Sequence, residues 1–408
     1  IQMTEKRNNA SNVPTLRFPG FSDDWNSVRL GNTCEINPKS ESLPNSFVYI
    51  DLESVSSGVL LKEEVVFKSN APSRAQRLLK KGDVLFQMVR PYQKNNLFFN
   101  LEGDYVGSTG YAQLRTKFSS EFLFQYLQTQ KFVDKVIERC TGTSYPAINS
   151  TDLSNIGISL PSLEEQKKIA TFLSLIDARI QTQNKIIEQL ESLIKAITEN
   201  LFKQQLFFKS KGNQKFLQWE KKKLSAICHE HKLKNTKNDY NEVFSVAKHK
   251  GVINQIEHLG RSFSAKEISH YKLIFPGDLV YTKSPTSDFP FGIIKQNRTE
   301  RVGVVSPLYC VFKPLTFALG YLIHEYFKSS VNTYNYLSPL VQKGAKNTMN
   351  INNEDFLNGA KLLLPMDEDE QSEIANFLIL FDKKIELEKK ILDQLEKKKK
   401  FLLANFFI

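Results

Sequence analysis

Apolar and polar residues alternate with helical spacing in two long stretches of the chain, residues 160–202 and 364–407. In both stretches the apolar positions recur at steps of four and three, which is the spacing of a coiled-coil seam. The numbering offset between equivalent positions is constant (374 − 169 = 406 − 201 = 205), so we interpret the stretches as a duplication. The predicted seam positions of the first copy are Ile169, Leu173, Ile176, Ile180, Gln183, Ile187, Leu190, Ile194, Ile197 and Leu201, and those of the second copy are Ile374, Leu378, Phe381, Ile385, Glu388, Leu392, Leu395, Lys399, Leu402 and Phe406.

Each copy begins with the signals that start a helix. A Leu-Pro pair comes first, after which Ser162 and Glu165 fit a capping box and Asp367 and Glu370 form its acidic equivalent. A helix of about 40 residues is about 60 Å long, which exceeds the helices inside ordinary domains. We therefore predict two rods that hold other parts of the chain apart.

Polar residues interrupt the predicted seam at a few places. Gln183 and Glu388 occupy the same heptad position, where a polar residue commonly fixes register, and we favour that role over contact with a partner. Lys399 and the lysine run 397–400 lie near the end of the second rod. Cations there complement the helix dipole, and they could equally contact phosphate.

The segments that precede the two rods are also related, although less closely than the rods. Trp25 and Leu30 have the same spacing as Trp219 and Leu224. The sequences KGDVL and PGDLV, at 81–85 and 276–280, predict a Gly-Asp turn that leads into a buried strand. We interpret these segments as two globular heads that precede the two rods of the duplicated chain. The heads have diverged from each other more than the rods have.

Within these heads, local patterns predict strands, helices and polar loops. Apolar runs bounded by turn residues predict strands, and longer amphipathic runs each predict one helix. The last polar loop of each head ends in a shared Ile-Asn pair. The predicted strands include 47–52 and 59–61, the predicted helices are 122–139 and 317–337, the loops are 142–153 and 344–356, and a flexible joint is predicted at 203–215.

Composition favours a polyanionic partner and a reducing compartment. The 55 Lys and Arg outnumber the 44 Asp and Glu, and a net charge of +11 suits nucleic acid first and an acidic membrane second. Four isolated cysteines without a CxxC pair predict reduced thiols in the cytoplasm. Cys228, His229 and His231 have no second ligand cluster, so we predict no metal. The polar start and the lack of a long apolar run predict neither signal peptide nor membrane span.

Several loops of the heads have the chemistry of DNA recognition. Arginine and lysine suit guanine edges, and asparagine and glutamine suit adenine. The candidates for base contact are Arg90, Tyr92, Lys94, Asn95 and Asn96 after the first Gly-Asp strand, Lys283, Ser284, Thr286 and Ser287 after the second, and Thr143, Ser144, Tyr145, Lys343, Lys346, Asn347 and Thr348 in the closing loops. The candidates for phosphate contact are Arg74, Arg77, Lys80, Lys248, Lys250 and Arg261. A solvated surface role stays open for each of them.

Catalytic motifs are missing from the sequence. There is no methyl-transfer motif, no GxxxxGK[ST] loop and no Pro-Asp start of a PD-(D/E)xK nuclease. The EKK fragments at 220–222 and 396–398 have no evident acidic partner. We therefore predict that the chain has no catalytic residues and lends specificity to enzymes on other subunits.

The repeated frame allows the rods to pair parallel or antiparallel. Antiparallel pairing would give the chain a pseudo-twofold axis and place unlike heads at opposite ends. DNA-binding proteins with a twofold axis bind two half-sites whose separation the protein fixes, commonly about 34–36 Å between their centres. Unlike heads would then recognise an asymmetric bipartite target.

The order of heads and rods resembles the specificity subunit of a Type I restriction-modification system. The motifs that carry the resemblance are LPSLEEQKKIA with its aspartate-bearing helix, its copy from residue 364, the leading FPGF with Trp25, the KGD strand and the GTSYPAIN loop. The resemblance implies an antiparallel helix pair acting as a ruler and two target recognition domains. It also implies two modification subunits that carry S-adenosylmethionine and methylate adenine, and restriction subunits that use ATP and magnesium; this chain itself would hold no cofactor.

The sequence thus predicts an α+β chain with two mixed α/β target recognition domains and two long helices that form an antiparallel coiled coil, with pseudo-twofold symmetry. The predicted segments are a first recognition domain at 13–159, a first helix at 160–205, a second recognition domain at 215–363 and a second helix at 364–408. Two alternatives stay open. One is a coiled-coil scaffold that binds no DNA, and the other is the specificity subunit of a related methyltransferase-only or bifunctional system.

Overall fold

The structure, a computed structural model, describes residues 2–3, 12–39, 42–208, 216, 218–261, 264, 267–343 and 349–408. It divides into two compact units, one formed by Ile1–Ile186 with Glu388–Ile408 and the other by Ile187–Leu387. Each long helix contributes residues to both units. The domain boundaries predicted from the sequence stay predictions, and the predicted joint at 203–215 lies largely outside the described residues.

The first unit contains two four-stranded sheets. One is antiparallel, in the order Leu97–Phe98, Val84–Gln87, Tyr111–Thr116 and Cys34–Ile36. The other is mixed, in the order Val65–Phe67, Ser46–Ile50, Tyr105–Ser108 and Ala75–Leu78, with Tyr105–Ser108 parallel to Ser46–Ile50. Two-stranded pairs complete it: Gln2–Met3 with Leu16–Arg17, Asn26–Arg29 with Gly157–Leu160, and Val55–Ser56 with Val59–Leu60.

The second unit has an antiparallel sheet with a matching chain order. Its strands are Cys228–Glu230, Cys310–Pro314, Leu279–Tyr281 and Ile294–Gln296, in that spatial order. The remaining strands form antiparallel pairs: Glu220–Lys222 with Leu362–Leu364, Phe244–Ala247 with Gly251–Asn254, Lys272–Ile274 with Gly303–Val305, and Gln342–Lys343 with Met349–Asn350.

Each predicted head helix is two helices in the structure, so the single helices predicted at 122–139 and 317–337 were wrong. The chain breaks because a hydroxyl caps a new helix: Thr129 accepts a hydrogen bond from the backbone N–H of Phe132, and Ser329 does the same for Asn332. The helices are Ser120–Leu127 and Gln130–Ile137 in the first unit, and Phe317–Tyr326 and Ser330–Leu337 in the second.

Short helices fill the remaining connections. They are Leu30–Thr33 and Ser150–Ser154 in the first unit, and Leu224–Ile227, Gln255–Leu259 and Asn353–Leu357 in the second, with 3-10 turns at Lys68–Asn70, Pro91–Gln93 and Ser338–Leu340. The shared Ile-Asn pair now has a physical explanation. Both isoleucines are buried, and Asn149 and Asn352 cap the N-termini of Ser150–Ser154 and Asn353–Leu357.

The Gly-Asp turns lead into buried strands, as the sequence predicted. Gly82 and Gly277 have φ of 92° and 89°, a conformation that favours glycine. The following carboxylates close the turns, because Asp83 accepts from the backbone N–H of Lys80 at 2.7 Å and Asp278 from that of Phe275 at 2.8 Å. The repeated motif is therefore structural.

The two long helices are Leu163–Phe202 and Glu368–Phe406. All the predicted seam positions are buried or half-buried. Within the first unit, Asp177 pairs with Lys399, and Gln183 donates to the carboxylate and to the backbone carbonyl of Glu388. Because rising numbers on one helix meet falling numbers on the other, the helix segments run antiparallel there. In the second unit, Ile194 and Leu201 share a core with Ile374 and Leu378.

The start of each long helix is fixed to its own unit by a repeated Glu-Gln pair. The backbone N–H of Glu165 does bond Ser162, but its carboxylate binds Arg17 through two 2.7 Å contacts and so does not complete the predicted capping box. In the second copy the carboxylate of Glu370 accepts from the Trp219 indole N–H. The next residue, Gln166 or Gln371, bonds the carbonyl of the preceding proline.

Across the described ranges, none of the helices has an apolar stretch long enough to cross a membrane. The four cysteines are free thiols.

Candidate nucleic-acid interface

The structure brings together two loops of the first unit that lie more than 50 positions apart in the sequence. The loop after the strand Val84–Gln87 contacts the closing loop, because the backbone N–H of Ile148 bonds the carbonyl of Met88 at 3.1 Å. Ala147 is shared between them, since it forms bridges with both Val89 and Thr141. The candidates at 90–95 and at 143–145 are therefore neighbours on one edge of the sheet.

The cation and the aromatic ring of this edge stack on each other. The guanidinium carbon of Arg90 lies 4.2 Å from the centroid of the Tyr145 ring, which is a cation–π contact. Tyr145 is 63% exposed and Tyr92 is 50% exposed. Thr143 and Ser144 are exposed beside them, in a turn that requires Gly142 with φ of 87°.

Arg74 belongs to the same edge through the backbone. Its carbonyl accepts from the N–H of Thr109, and the next residue, Gly110, accepts from the N–H of Met88. The exposed side chain of Arg74 thus follows the loop of Arg90 along the ends of the strands. Two arginines and two exposed tyrosines on one edge form a surface suited to phosphate and base contacts.

The loop that carries Arg90 is held in an unusual backbone conformation. Arg90 and Lys94 both adopt left-handed values, with φ of 54° and 56°, on either side of the 3-10 turn Pro91–Gln93. Such values cost non-glycine residues about 1–3 kcal/mol each and cluster at functional sites. Gln87 holds the turn, since its amide bonds both Gln93 and the backbone N–H of Asn95.

Some candidates of this loop have structural roles instead. Asn96 is fully buried and accepts from the backbone N–H of Gln87 at 2.9 Å, so its predicted base contact was wrong. Lys94 donates to the carbonyl of Gln128 and the side chain of Gln130, each at 3.0 Å, and burial lowers its pKa. Its ammonium therefore contacts the C-terminal end of the helix Ser120–Leu127, where a cation is stabilising.

The other cations and amides of the first unit differ in exposure. Asn95 accepts from the backbone N–H of Ser57 at 3.2 Å and is half-buried. Arg77 has a buried Nε, and burial lowers its pKa, whereas Lys80 is exposed. Of the predicted phosphate contacts in the first unit, Arg74 and Lys80 present their charges to solvent most openly.

In the second unit, the loop after the strand Leu279–Tyr281 is also strained. Lys283 has a φ of 60°, and burial lowers its pKa. A Cβ on Gly292 would lie 2.7 Å from the backbone nitrogen of Lys283, so this close approach requires glycine. The loop is closed by Thr286 and Phe289, which exchange backbone hydrogen bonds.

The remaining candidates of the second unit are spread over several segments. Lys248 forms an ion pair with Asp288, which reduces the charge it can offer to a phosphate. Lys250, Arg261, Ser284 and Ser287 are exposed. Lys343 lies in a short strand, and Lys346, Asn347 and Thr348 lie outside the described residues.

Sequence reasoning missed a pair of helix aspartates that fix the heads to the long helices. Asp177 accepts from the amide of Gln125 at 2.6 Å in addition to pairing with Lys399. The equivalent Asp382, 205 positions later, accepts from Tyr321 at 2.6 Å and from Arg298 at 2.7 Å. The repeat itself was the available signal, since both aspartates stand at the same place in the two copies.

Comparison with known families gives a match over most of the chain. A family model described as "Type I restriction modification DNA specificity domain" matches residues 22–192 and 291–397. The chain is 28% identical over 189 residues to the specificity subunit of the Type I restriction enzyme HindI of Haemophilus influenzae, covering 44% of this chain and 41% of the relative. It is 29% identical over 189 residues to the MjaVIII specificity subunit of Methanocaldococcus jannaschii, covering 43% and 44%. The matched part thus spans about two fifths of each relative.

Two solved structures share the fold. The S subunit of a Type I restriction-modification system from M. genitalium aligns with a TM-score of 0.60 at 13% identity, over 97% of this chain and 99% of that chain. A chain from a study of complex assembly and conformational transition of the type I R-M system aligns with a TM-score of 0.51 at 21% identity, over 97% and 99%. At these identities the likeness concerns the fold alone.

Proposed function

Because the chain belongs to the family of Type I restriction modification DNA specificity domains, we propose that it is the DNA-specificity subunit of such a system. Each globular unit would recognise one half of an asymmetric bipartite site. The observation that carries this proposal is the stack of Arg90 on Tyr145, with the exposed Tyr92 in the same loop and the exposed Arg74 joined to that loop through the backbone. Surface cations beside exposed aromatic rings can hold phosphates and stack on bases.

The pairing of the long helices supports a fixed distance between half-sites. A helix of 40 residues is about 60 Å long. We propose that the helices form one antiparallel coiled coil with a pseudo-twofold axis, because their segments run antiparallel within the first unit. The polar pair of Gln183 and Glu388 would fix the register of this seam, since only one alignment satisfies both side chains.

The chain would act without catalytic residues of its own. Two modification subunits would bind S-adenosylmethionine and methylate adenine in each half-site. Restriction subunits, where present, would use ATP and magnesium. The specificity subunit would contribute only the recognition of the half-sites and the distance between them, and its residues would bind no cofactor.

Methylome sequencing tests the proposed function directly. The full chain is expressed with the modification subunits of its own system in a methylation-free host. We expect adenine methylation at one bipartite sequence whose halves differ. Exchange of residues 13–159 for the corresponding segment of another specificity subunit should change one half and leave the other unchanged. Methylation without a bipartite motif, or none with the intact complex, would refute the proposal.

The spacing role has its own test. One heptad is inserted into residues 176–197, and another at the facing position of the second helix, so that the seam keeps its register. The insertion lengthens the pair by about 10 Å, and the gap between half-sites should grow by up to about three base pairs. As a control, a Gly-Ser insertion of the same length at 209–215 leaves the helices unchanged. An unchanged gap in the heptad variant would contradict the ruler.

A further inference from the structure

We propose that Arg90 recognises a guanine in the half-site bound by the first unit, with its guanidinium held in place by Tyr145. This inference rests on the proposed function and adds the base, the side chain and the device that orients it. Its three supports are a guanidinium that is oriented but unpaired, a backbone that is fixed before DNA binds, and the partners that two other cations of the unit, Arg115 and Lys94, already have.

The guanidinium of Arg90 is oriented without being neutralised. It stacks on the Tyr145 ring at 4.2 Å, and within the described ranges its N–H groups have no carboxylate or carbonyl partner. Stacking occupies the face of the planar group and leaves its edge, which carries the N–H donors, available. Tyr145 is 63% exposed and Arg90 is half-buried, so the stacked pair lies at the surface and not in the core.

The backbone fixes the position from which Arg90 extends. Its φ and ψ of 54° and 53° are left-handed, and its N–H bonds the carbonyl of Pro146 at 2.8 Å. The buried Pro91 follows directly, and Gln87 holds the far end of the turn. Ordering this side chain before binding lowers the entropy that recognition would otherwise lose.

Guanine fits this arrangement better than a phosphate does. The O6 and N7 atoms of guanine lie in one plane in the major groove, and an arginine edge binds both at once. A phosphate contact requires charge but little orientation, and the exposed Arg74 on the same edge supplies it. Two other cations of this unit already have partners, since Arg115 pairs with Asp83 and Lys94 with the carbonyl of Gln128. Arg90 thus combines a guanidinium plane fixed by stacking with an edge that is available to a base.

The test measures methylation by the intact complex on a panel of duplexes. The panel replaces each base pair of both half-sites in turn. The exchange of residues 13–159 identifies the half-site that the first unit binds. At one G·C pair of that half-site the wild-type complex should discriminate strongly against the other base pairs. In Arg90→Ala, discrimination at that pair should fall by roughly five- to 150-fold, as expected for loss of a bidentate contact. Discrimination at every other position, including the second half-site, should stay at the wild-type level.

Three further variants test whether the Tyr145 ring orients Arg90, and they distinguish this role from a general effect of positive charge and from loss of folding. Tyr145→Phe keeps the ring and should behave as wild type, whereas Tyr145→Ala should lose part of the discrimination at the same pair. Arg139→Ala removes a nearby exposed arginine that bonds the carbonyl of Lys135, and it should leave discrimination unchanged. Thermal unfolding of each purified variant shows whether the first unit stays folded.

Two outcomes would overturn the inference while leaving the proposed function intact. If Arg90→Ala weakens methylation equally on all duplexes and reduces the salt dependence of binding, Arg90 contacts phosphate. If it changes neither specificity nor affinity, the stacked pair is structural. Failure of the wild-type complex to methylate any bipartite site would instead count against the proposed function itself.

Discussion

Removal of the Glu165 carboxylate is expected to destabilise the first unit severely. Glu165 is 1% exposed and Arg17 is 6% exposed, and two charge-assisted hydrogen bonds of 2.7 Å join them. In Glu165→Ala the guanidinium of Arg17 stays buried with only the carbonyl of Asp23 as a described acceptor. Breaking a buried ion pair on one side typically costs about 3–5 kcal/mol, because the remaining charge is left without compensation.

That loss corresponds to a large shift in melting temperature. For a unit of about 200 residues, each kcal/mol lowers Tm by about 2–4 °C, so we expect a decrease of about 6–20 °C. The matched control is Glu164→Ala, which removes the same group from the neighbouring, exposed position in the same helical turn. It loses only a helix-dipole interaction, worth about 0.3–1 kcal/mol.

The double variant Arg17→Leu/Glu165→Leu separates the pair from the individual side chains. With neither charge present, no buried charge is left without a partner. The double variant should therefore lose less unfolding free energy than Arg17→Leu and Glu165→Leu lose in sum. Urea denaturation followed by circular dichroism measures all variants. If Glu165→Ala unfolds within about 1 kcal/mol of Glu164→Ala, then the buried pair does not hold the long helix to its unit, and the reasoning fails.

Three further perturbations have defined outcomes. Burial and nearby cations lower the pKa of Lys295 from 10.5 to about 8, so the unfolded state binds more protons between these values and stability rises with pH across that window. Lys295→Met should abolish this rise and add on the order of 3 kcal/mol at pH 7, and an unchanged dependence of stability on pH in the variant would contradict this origin of the rise. Gln183→Leu removes a donor from the buried Glu388 and should lower the unfolding free energy by about 1–3 kcal/mol, while Gln183→Leu/Glu388→Leu should recover most of that loss in the same urea titration. Thr129→Ala removes the cap of Gln130–Ile137 and should lower Tm by an amount corresponding to about 1 kcal/mol, and an unchanged Tm would show that tertiary packing alone holds this helix.

Periodicity and duplication predicted the two long helices well, for a physical reason. A seam residue is buried because of its place on a helical face, so spacing alone identifies it. Asp83 and Asp278 were also predictable, since a Gly-Asp turn is closed within three residues by its own carboxylate. Family membership followed from such motifs in combination, and the family match bears it out.

Contacts between distant segments were not predictable from local pattern. Glu165 looked like half of a capping box, but Arg17, 148 positions earlier, offers a stronger partner for its carboxylate. Asn96 looked like a base reader because its neighbours are polar, yet the turn places it inside the sheet. The same kind of tertiary contact formed the candidate interface, because Ala147 brings Arg90 to Tyr145 across 55 positions of sequence.

Equivalent residues of the two long helices have different partners in the two heads, which explains how unlike heads can be attached to a repeated helix. Asp177 and Asp382 hold equivalent places, but the first binds an amide and the second a tyrosine and an arginine. A carboxylate accepts hydrogen bonds from any donor within reach, so a head can exchange its surface without redesign of the helix. If so, Asp177→Asn should weaken the first unit and leave half-site sequence preference unchanged, whereas changes at Arg90 should alter preference and leave stability unchanged. The two effects are separable because the contacts of Asp177 and the proposed DNA contacts of Arg90 and Tyr145 have no residue in common.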